Sequence, residues 1–270
     1  MRRPFRAILL ALLSLAAAHS AGAAATSPPG MNVRWDNCYS DGGVISKTFA
    51  CDTNAGSERL VMSFVLDADM PQVSGQEIRV IIHSVSPTLP SWWAMKNAGT
   101  CRQSSLAVST TPPPGATNCL DWSGGAAIGG IGNYLIGDLG ANSVVSSVAF
   151  AVPPNALATL LAGQEYFVGS LTINHAKTVG SGACSGCEQP VCIVLDRMRI
   201  TTPDLATNRE LNGGANGPDS QFARWQNGEE TNVALVYSGP NFGFYHSYTC
   251  ELSATPTRGS TWGAVKSLYR

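Results

Sequence analysis

The sequence predicts an all-β protein, a disulfide-stapled β-sandwich with one or two short helices. Three observations predict it. Apolar residues recur at every second position in run after run, the pattern of strands with one buried face. Clusters of Gly, Pro, Asn and Ser separate these runs at short intervals, which suits many tight turns rather than strand–helix–strand units. The eight cysteines all lie beyond residue 25, an even number in a chain that opens like an exported one, so four disulfides are expected.

Taken in order, Asn32–Trp35 and Val44–Phe49 read as short strands around Asp41-Gly42-Gly43. Leu60, Met62, Phe64 and Leu66 alternate on one face of Glu58–Asp67, and Ile78, Val80 and Ile82 repeat the pattern. Pro90–Asn97 suits one or two helical turns, with Ser91 near the cap position. Leu106–Thr110 is a strand closed by Pro112-Pro113-Pro114-Gly115. Ser123–Gly132 (SGGAAIGGIG) reads as a long loop. Val144, Ser146, Val148, Phe150 and Val152 line another strand. Pro153–Leu161 carries proline at its start and Gly163 at its stop, so it is predicted as the best helix. Phe167, Leu171 and Ile173 share one face of the next strand. Val191–Ile200 is apolar on both faces and predicted central, and the pair is expected to form a hairpin across a loop bearing Cys184, Cys187 and Cys192. Phe222–Trp225, Val233–Tyr237 and Phe242–Tyr248 are closing strands. The whole of 32–250 is expected to be a single domain.

The ends carry different signals. Residues 1–25 combine Arg2, Arg3 and Arg6 with an apolar run over Ala7–Ala18 and small residues behind it, the pattern of a secretory signal peptide. The run is too short to span a bilayer, which takes about 20 helical residues. Residues 251–260 read as a linker. In 261–270, Trp262, Val265 and Leu268 recur at helical spacing, predicting a short helical tail. The expected location is secreted, periplasmic or at the cell surface. The chain holds 17 basic and 18 acidic residues; signal removal takes three arginines and no acid, leaving a net acidic protein. That balance argues against nucleic acid or an anionic membrane as partner.

The chemistry-bearing residues are few. Short loops suggest Cys38–Cys51 and Cys101–Cys119 as local disulfides, leaving Cys184, Cys187, Cys192 and Cys250 with open connectivity. His175 with Cys184, Cys187 and Cys192 has the composition of a zinc set, but only one C-x2-C spacing is present, and disulfides are the expected state, with no metal and no cofactor. Gly182-Ala183-Cys184-Ser185-Gly186 has the form of a nucleophile elbow, yet the helix such an elbow needs is blocked by Pro190. His83, His175 and His246 sit in or at the ends of strands, away from any nucleophile motif. Glu58, Asp67, Asp69, Glu77, Asp121, Glu165 and Asp196 are the carboxylates from which a glycosidase pair would be drawn. Asp67, Asp69, Asp36 and Asp41 offer oxygens of the kind structural calcium takes. Trp92, Trp93 and Trp122, at predicted loops, are the candidate ligand-binding residues. Aromatic faces there would stack on sugar rings, or else plug the ends of the sandwich.

The ending TWGAVKSLYR, after a Thr/Pro/Ser linker, resembles a tail carried by many uncharacterised secreted proteins of uncultured bacteria. Arg34-Trp35-Asp36, Phe49-Ala50-Cys51-Asp52, Asn97–Arg102 (NAGTCR), Asn174–Gly180 (NHAKTVG) and Pro190–Val194 (PVCIV) resemble the body of one such family. The resemblance implies export and no particular activity. By fold analogy the order of β-runs is similar to jelly-roll or to immunoglobulin- and cohesin-like sandwiches. The sequence thus points to an exported non-catalytic β-sandwich acting as an extracellular or envelope binding or structural module, with a glycan or an envelope protein as partner. A carbohydrate-binding module using the tryptophans and a secreted glycoside hydrolase are the alternatives.

Overall fold

The structure is a computed structural model that describes residues 29–215, 218–236 and 245–252. The expected signal segment (1–25) and C-terminal tail (261–270) therefore lie outside the described residues, as does the expected linker from residue 253 on, its first two residues, Glu251 and Leu252, instead closing a strand. Sixteen strands are present among the described residues: β1 (Gly30–Trp35), β2 (Ser46–Lys47), β3 (Ser57–Val65), β4 (Met70–Val73), β5 (Gly75–Ser84), β6 (Leu106–Ser109), β7 (Leu120–Asp121), β8 (Ile128–Ile136), β9 (Ser143–Ala151), β10 (Ala158–Leu160), β11 (Glu165–Asn174), β12 (Val191–Thr201), β13 (Arg209–Leu211), β14 (Phe222–Trp225), β15 (Gly228–Val236) and β16 (Tyr245–Leu252). The helical content is five short 3-10 turns. No helix among the described residues is long and apolar enough to cross a membrane.

Two sheets form the sandwich. One has the order β1-β3-β11-β6 with β7 beside β11; the other runs β2-β14-β12-β5-β9-β8 with β13 beside β12. One core fills the space between them. Met31, Val33, Leu60, Met62, Phe64, Leu171 and Ile173 face it from the first sheet, and Ile78, Val80, Val144, Val148, Phe150, Ile193 and Leu195 from the second. The alternation read from the sequence is what this burial requires, since a one-residue shift would turn each apolar set toward solvent.

Four expectations are corrected. The residues 163–203 form no hairpin: β11 belongs to the first sheet and β12 to the second, so residues 175–190 cross from one sheet to the other. Phe167 does not share a face with Leu171, because the register against β3 shifts between Phe167 and Gly169. That bulge sends Phe167 outward onto Val61, Cys38 and Cys119 while Leu171 stays in the core. The glycine-rich stretch is a loop only as far as Ala127; from Ile128 it is strand β8, paired to β9. Pro153–Leu161 is a 3-10 turn followed by β10, which pairs with β4. β12 is central, as expected, between β14 and β5.

Phe150 fixes the bulge from the opposite sheet. A methyl group on Gly169 would come nearer than 3.0 Å to three atoms of its ring, and Gly129 faces the same ring. Gly169→Ala is therefore expected to cost about 2 kcal/mol through overpacking, read as a lower midpoint in urea unfolding. An unchanged midpoint would show that the ring moves aside freely.

All eight cysteines are bonded, but not as local pairs. The bridges are Cys38–Cys119, Cys51–Cys187, Cys101–Cys184 and Cys192–Cys250. The expected Cys38–Cys51 and Cys101–Cys119 pairs are wrong, because stacking two sheets brings sequence-distant loops together at the ends of the sandwich. Four bridges are consistent with an oxidising environment. On the outer face of the second sheet, Cys192 lies beside Val194, part of a cluster with Ile81, Val145 and Phe222. Its bond to Cys250 fastens the β15–β16 hairpin against β5, β12 and β14.

Candidate functional site

The tryptophans expected to meet ligand are inside. Trp92 and Trp93 are 0% exposed and Trp122 is 4% exposed, so none presents a face to a sugar. The 3-10 turn Ser91–Trp93 drives both Trp92 and Trp93 into the end of the sandwich. There they join Trp35, Trp225 and Phe49 in an aromatic plug with ring centroids 4.2–5.8 Å apart. The indole N–H of Trp92 donates to Thr178 Oγ1 at 3.0 Å, and that of Trp225 to the Cys187 carbonyl at 2.9 Å. Packing accounts for all of these side chains; the indoles of Trp35, Trp92 and Trp225 are also hydrogen-bonded, whereas those of Trp93 and Trp122 are buried without a partner among the described residues.

The polar residues of the crossing separate into two groups. His175 stacks flat on Phe49, 4.1 Å between centroids, and its Nε2 lies 2.9 Å from Glu58 Oε1. Lys47 reaches the other Glu58 oxygen and Asp36, each at 2.5 Å. Burial opposes the Lys47 charge, but the hydrogen bonds to Asp36 and Glu58 prevail and hold its pKa above the ordinary value. Cys184, Cys187 and Cys192 take three different disulfide partners, which leaves His175 no thiolate companions for zinc. Cys38, Cys119 and Glu165 also converge, but the two sulfurs are bonded to each other. Glu165 accepts from Asn32, Ser63 and the backbone N–H groups of Tyr39 and Ser40.

The remaining candidate carboxylates are likewise engaged within the fold. Asp196 meets Arg79, Asp67 meets Arg209 and Glu77 meets Arg199. Asp69 accepts from Ala162 N–H, and Asp121 from Ser123 and Gly125. Asp41 accepts from the backbone N–H groups of Thr117, Asn118 and Cys119. Burial opposes ionisation there, but those N–H bonds outweigh it and hold the Asp41 carboxyl below its ordinary value. Burial alone pushes His83 down. Both folded pKa values thus lie below the unfolded ones, so the unfolded chain binds protons first as pH falls. Stability is expected to decline on acidification, first below about pH 6.5 as His83 charges in the unfolded state, and again below about pH 4 for Asp41. A pH series of melting curves reads this, with the Asp41→Asn difference shrinking at the acid end.

What the crossing does build is a cleft. Residues 96–105 form one wall, and Ala176 and Lys177 the other, around a volume of about 630 Å³. Thr100, Gln103, Ser104 and Ser105 supply hydroxyl and amide groups, while Lys96, Arg102 and Lys177 supply charge. Arg102 is the keystone at 1% exposure. Its guanidinium donates to the carbonyls of Trp92 at 2.8 Å and Ala176 at 3.1 Å, and to that of Asn174. It also lies 3.5 Å from the Trp92 ring centroid, a cation–π contact. Burial lowers its pKa to about 10, with a small opposing effect from Tyr134, so it stays cationic at neutral pH. Cys101–Cys184 ties the first wall to the crossing, where the Cys184 N–H donates to the Lys177 carbonyl at 2.8 Å, and Lys177 Nζ donates across to the Cys101 carbonyl at 2.8 Å.

Lys177 lies just before the cysteine loop that the sequence singles out, whereas Lys96, Arg102, Gln103 and Ser104 carry no such signal. Two positions carry an unusual mark, since Lys96 and Lys177 have φ of 70° and 61°. That left-handed region is uncommon for lysine and is often kept where function needs it. No protein-family model, curated protein or solved structure matches the chain.

Proposed function

We propose that the chain is an exported, non-catalytic binding module of the extracellular space or cell envelope, and that its ligand surface is the cleft between residues 96–105 and Ala176–Lys177. One observation carries this reading: the cleft is preorganised. Cys101–Cys184 and the three carbonyl bonds of Arg102 hold both walls in place, so a ligand need not order a mobile loop, and that lowers the cost of binding. Its size also falls in the range of small-molecule and oligosaccharide sites, roughly 300–1,000 Å³.

A glycan array probed with residues 26–270 tests the reading. The companion variant is Ser104→Trp, which places a large side chain on an exposed wall. Binding that this variant abolishes without altering the melting temperature supports the cleft. Binding that it leaves intact moves the ligand surface elsewhere.

A further inference from the structure

We infer that the ligand taken by this cleft is an anionic saccharide, bound through its acidic group by Lys96 and Lys177; the inference rests on the cleft being the ligand surface. The first argument is charge placement. Among the described residues the lining includes Lys96, Arg102 and Lys177 and no aspartate or glutamate, in a chain whose acidic residues outnumber its basic ones. Elsewhere Lys47, Arg79, Arg197, Arg199 and Arg209 each sit against a carboxylate. Here three cations face one concavity with none. Arg102 cannot swing out to find a counter-ion, since each of its three nitrogens donates to a carbonyl and its guanidinium carbon lies 3.5 Å from the Trp92 ring centroid. Its charge is fixed beneath the cleft, and a cleft lined by charges of one sign focuses the field.

The second argument is what the lining lacks. Among the described residues no aromatic side chain lines it, so they offer the apolar face of a neutral sugar nothing to stack on. Affinity must come from ions and hydrogen bonds. Thr100, Gln103, Ser104 and Ser105 both donate and accept, as sugar hydroxyls require, and the cleft is far larger than a bare inorganic anion.

Calorimetric titration of residues 26–270 decides the matter with four probes: a hexagalacturonate, a heparin hexasaccharide, cellohexaose and a hexaglutamate peptide. The expected result is that one of the two acidic sugars binds at least tenfold tighter than cellohexaose and hexaglutamate. Which one it is separates a site satisfied by carboxylates alone from one that requires sulfate groups as well. Lys96→Asn and Lys177→Asn should each weaken that binding roughly fivefold to tenfold. Asparagine is chosen because it tolerates the left-handed backbone at both positions. Raising salt from about 50 to 500 mM on the unmodified protein should weaken the same binding at least tenfold, a readout that needs no variant. Cellohexaose binding equally well, and blocked by Ser104→Trp, would overturn the anionic assignment while keeping the cleft. Equal binding of hexaglutamate would overturn the saccharide, and no binding by any probe would overturn the inference outright. Acidic-sugar binding indifferent to both lysine variants and to Ser104→Trp would place the anion off this cleft, which defeats the inference together with the reading beneath it.

Discussion

Trp92→Ala is expected to destabilise the protein by about 4 kcal/mol, a fall in melting temperature of roughly 10 °C for a domain of this size. The side chain is completely buried among Trp93, Trp225 and Phe49, and its removal leaves a cavity that the sheets cannot collapse to fill. Two further losses follow. Thr178 Oγ1 loses its indole donor, and the Arg102 guanidinium loses the ring beneath it, so the cleft is expected to loosen as well. Trp92→Phe keeps a ring and should recover at least half of the stability. Chemical denaturation of the three proteins measures this, and a loss below 1 kcal/mol for the alanine variant would mean that the indole is not packed as described.

The double variant Cys51→Ser/Cys187→Ser should lose about as much or more. This bridge spans 136 residues, the longest of the four. In the chain-entropy model, freeing a loop of that length from the unfolded state costs about 5 kcal/mol at 25 °C. The bridge also anchors the crossing next to the aromatic plug, because the Cys187 carbonyl accepts from Trp225. A melting temperature lowered by about 10–15 °C is expected. The variant is compared with the oxidised parent rather than a reduced one, which would open all four bridges at once. A shift under 3 °C would contradict the topology that places these sulfurs together.

How far the sequence carried this description depends on the kind of interaction. β3, β5, β9 and β12 were legible because each buries one or both faces, and burial writes its period directly into the residues. Alternation does not name the neighbour, though, and so β11 and β12 were joined as a hairpin when they belong to opposite sheets. β8 looked like a loop because glycines carry no strand propensity. Its pairing with β9 supplies what its own residues do not, and Gly129 is needed where Phe150 presses close. Pro153–Leu161 had proper helix ends, but pairing of β10 with β4 prevailed over that local preference. The tryptophans were readable as important and misplaced as ligand contacts, since a loop position does not say which way a side chain turns. The cleft was almost illegible: Arg102 and Lys177 lie 75 positions apart in the numbering, and only the fold makes them neighbours. The disulfide pairing was hidden for the same reason.

That pairing has a consequence for how the protein is made. The closest pair in sequence, Cys192 and Cys250, is separated by 58 residues, and the others by 81, 83 and 136. As the chain is synthesised the first sulfurs to emerge are those of Cys38 and Cys51, with Cys101 after them, and none of these is a native partner of another. Thiols that meet early over short loops do so faster than distant ones, so wrong pairs such as Cys38–Cys51 and Cys184–Cys187 are expected to form before right ones. Maturation then proceeds by exchange rather than by simple oxidation. Oxidative refolding of the reduced chain should accumulate mispaired isomers that a disulfide isomerase resolves. Trapping the free thiols at intervals, followed by peptide mapping, would catch those isomers. Direct appearance of the four native bridges without them would show that the two sheets assemble ahead of the chemistry.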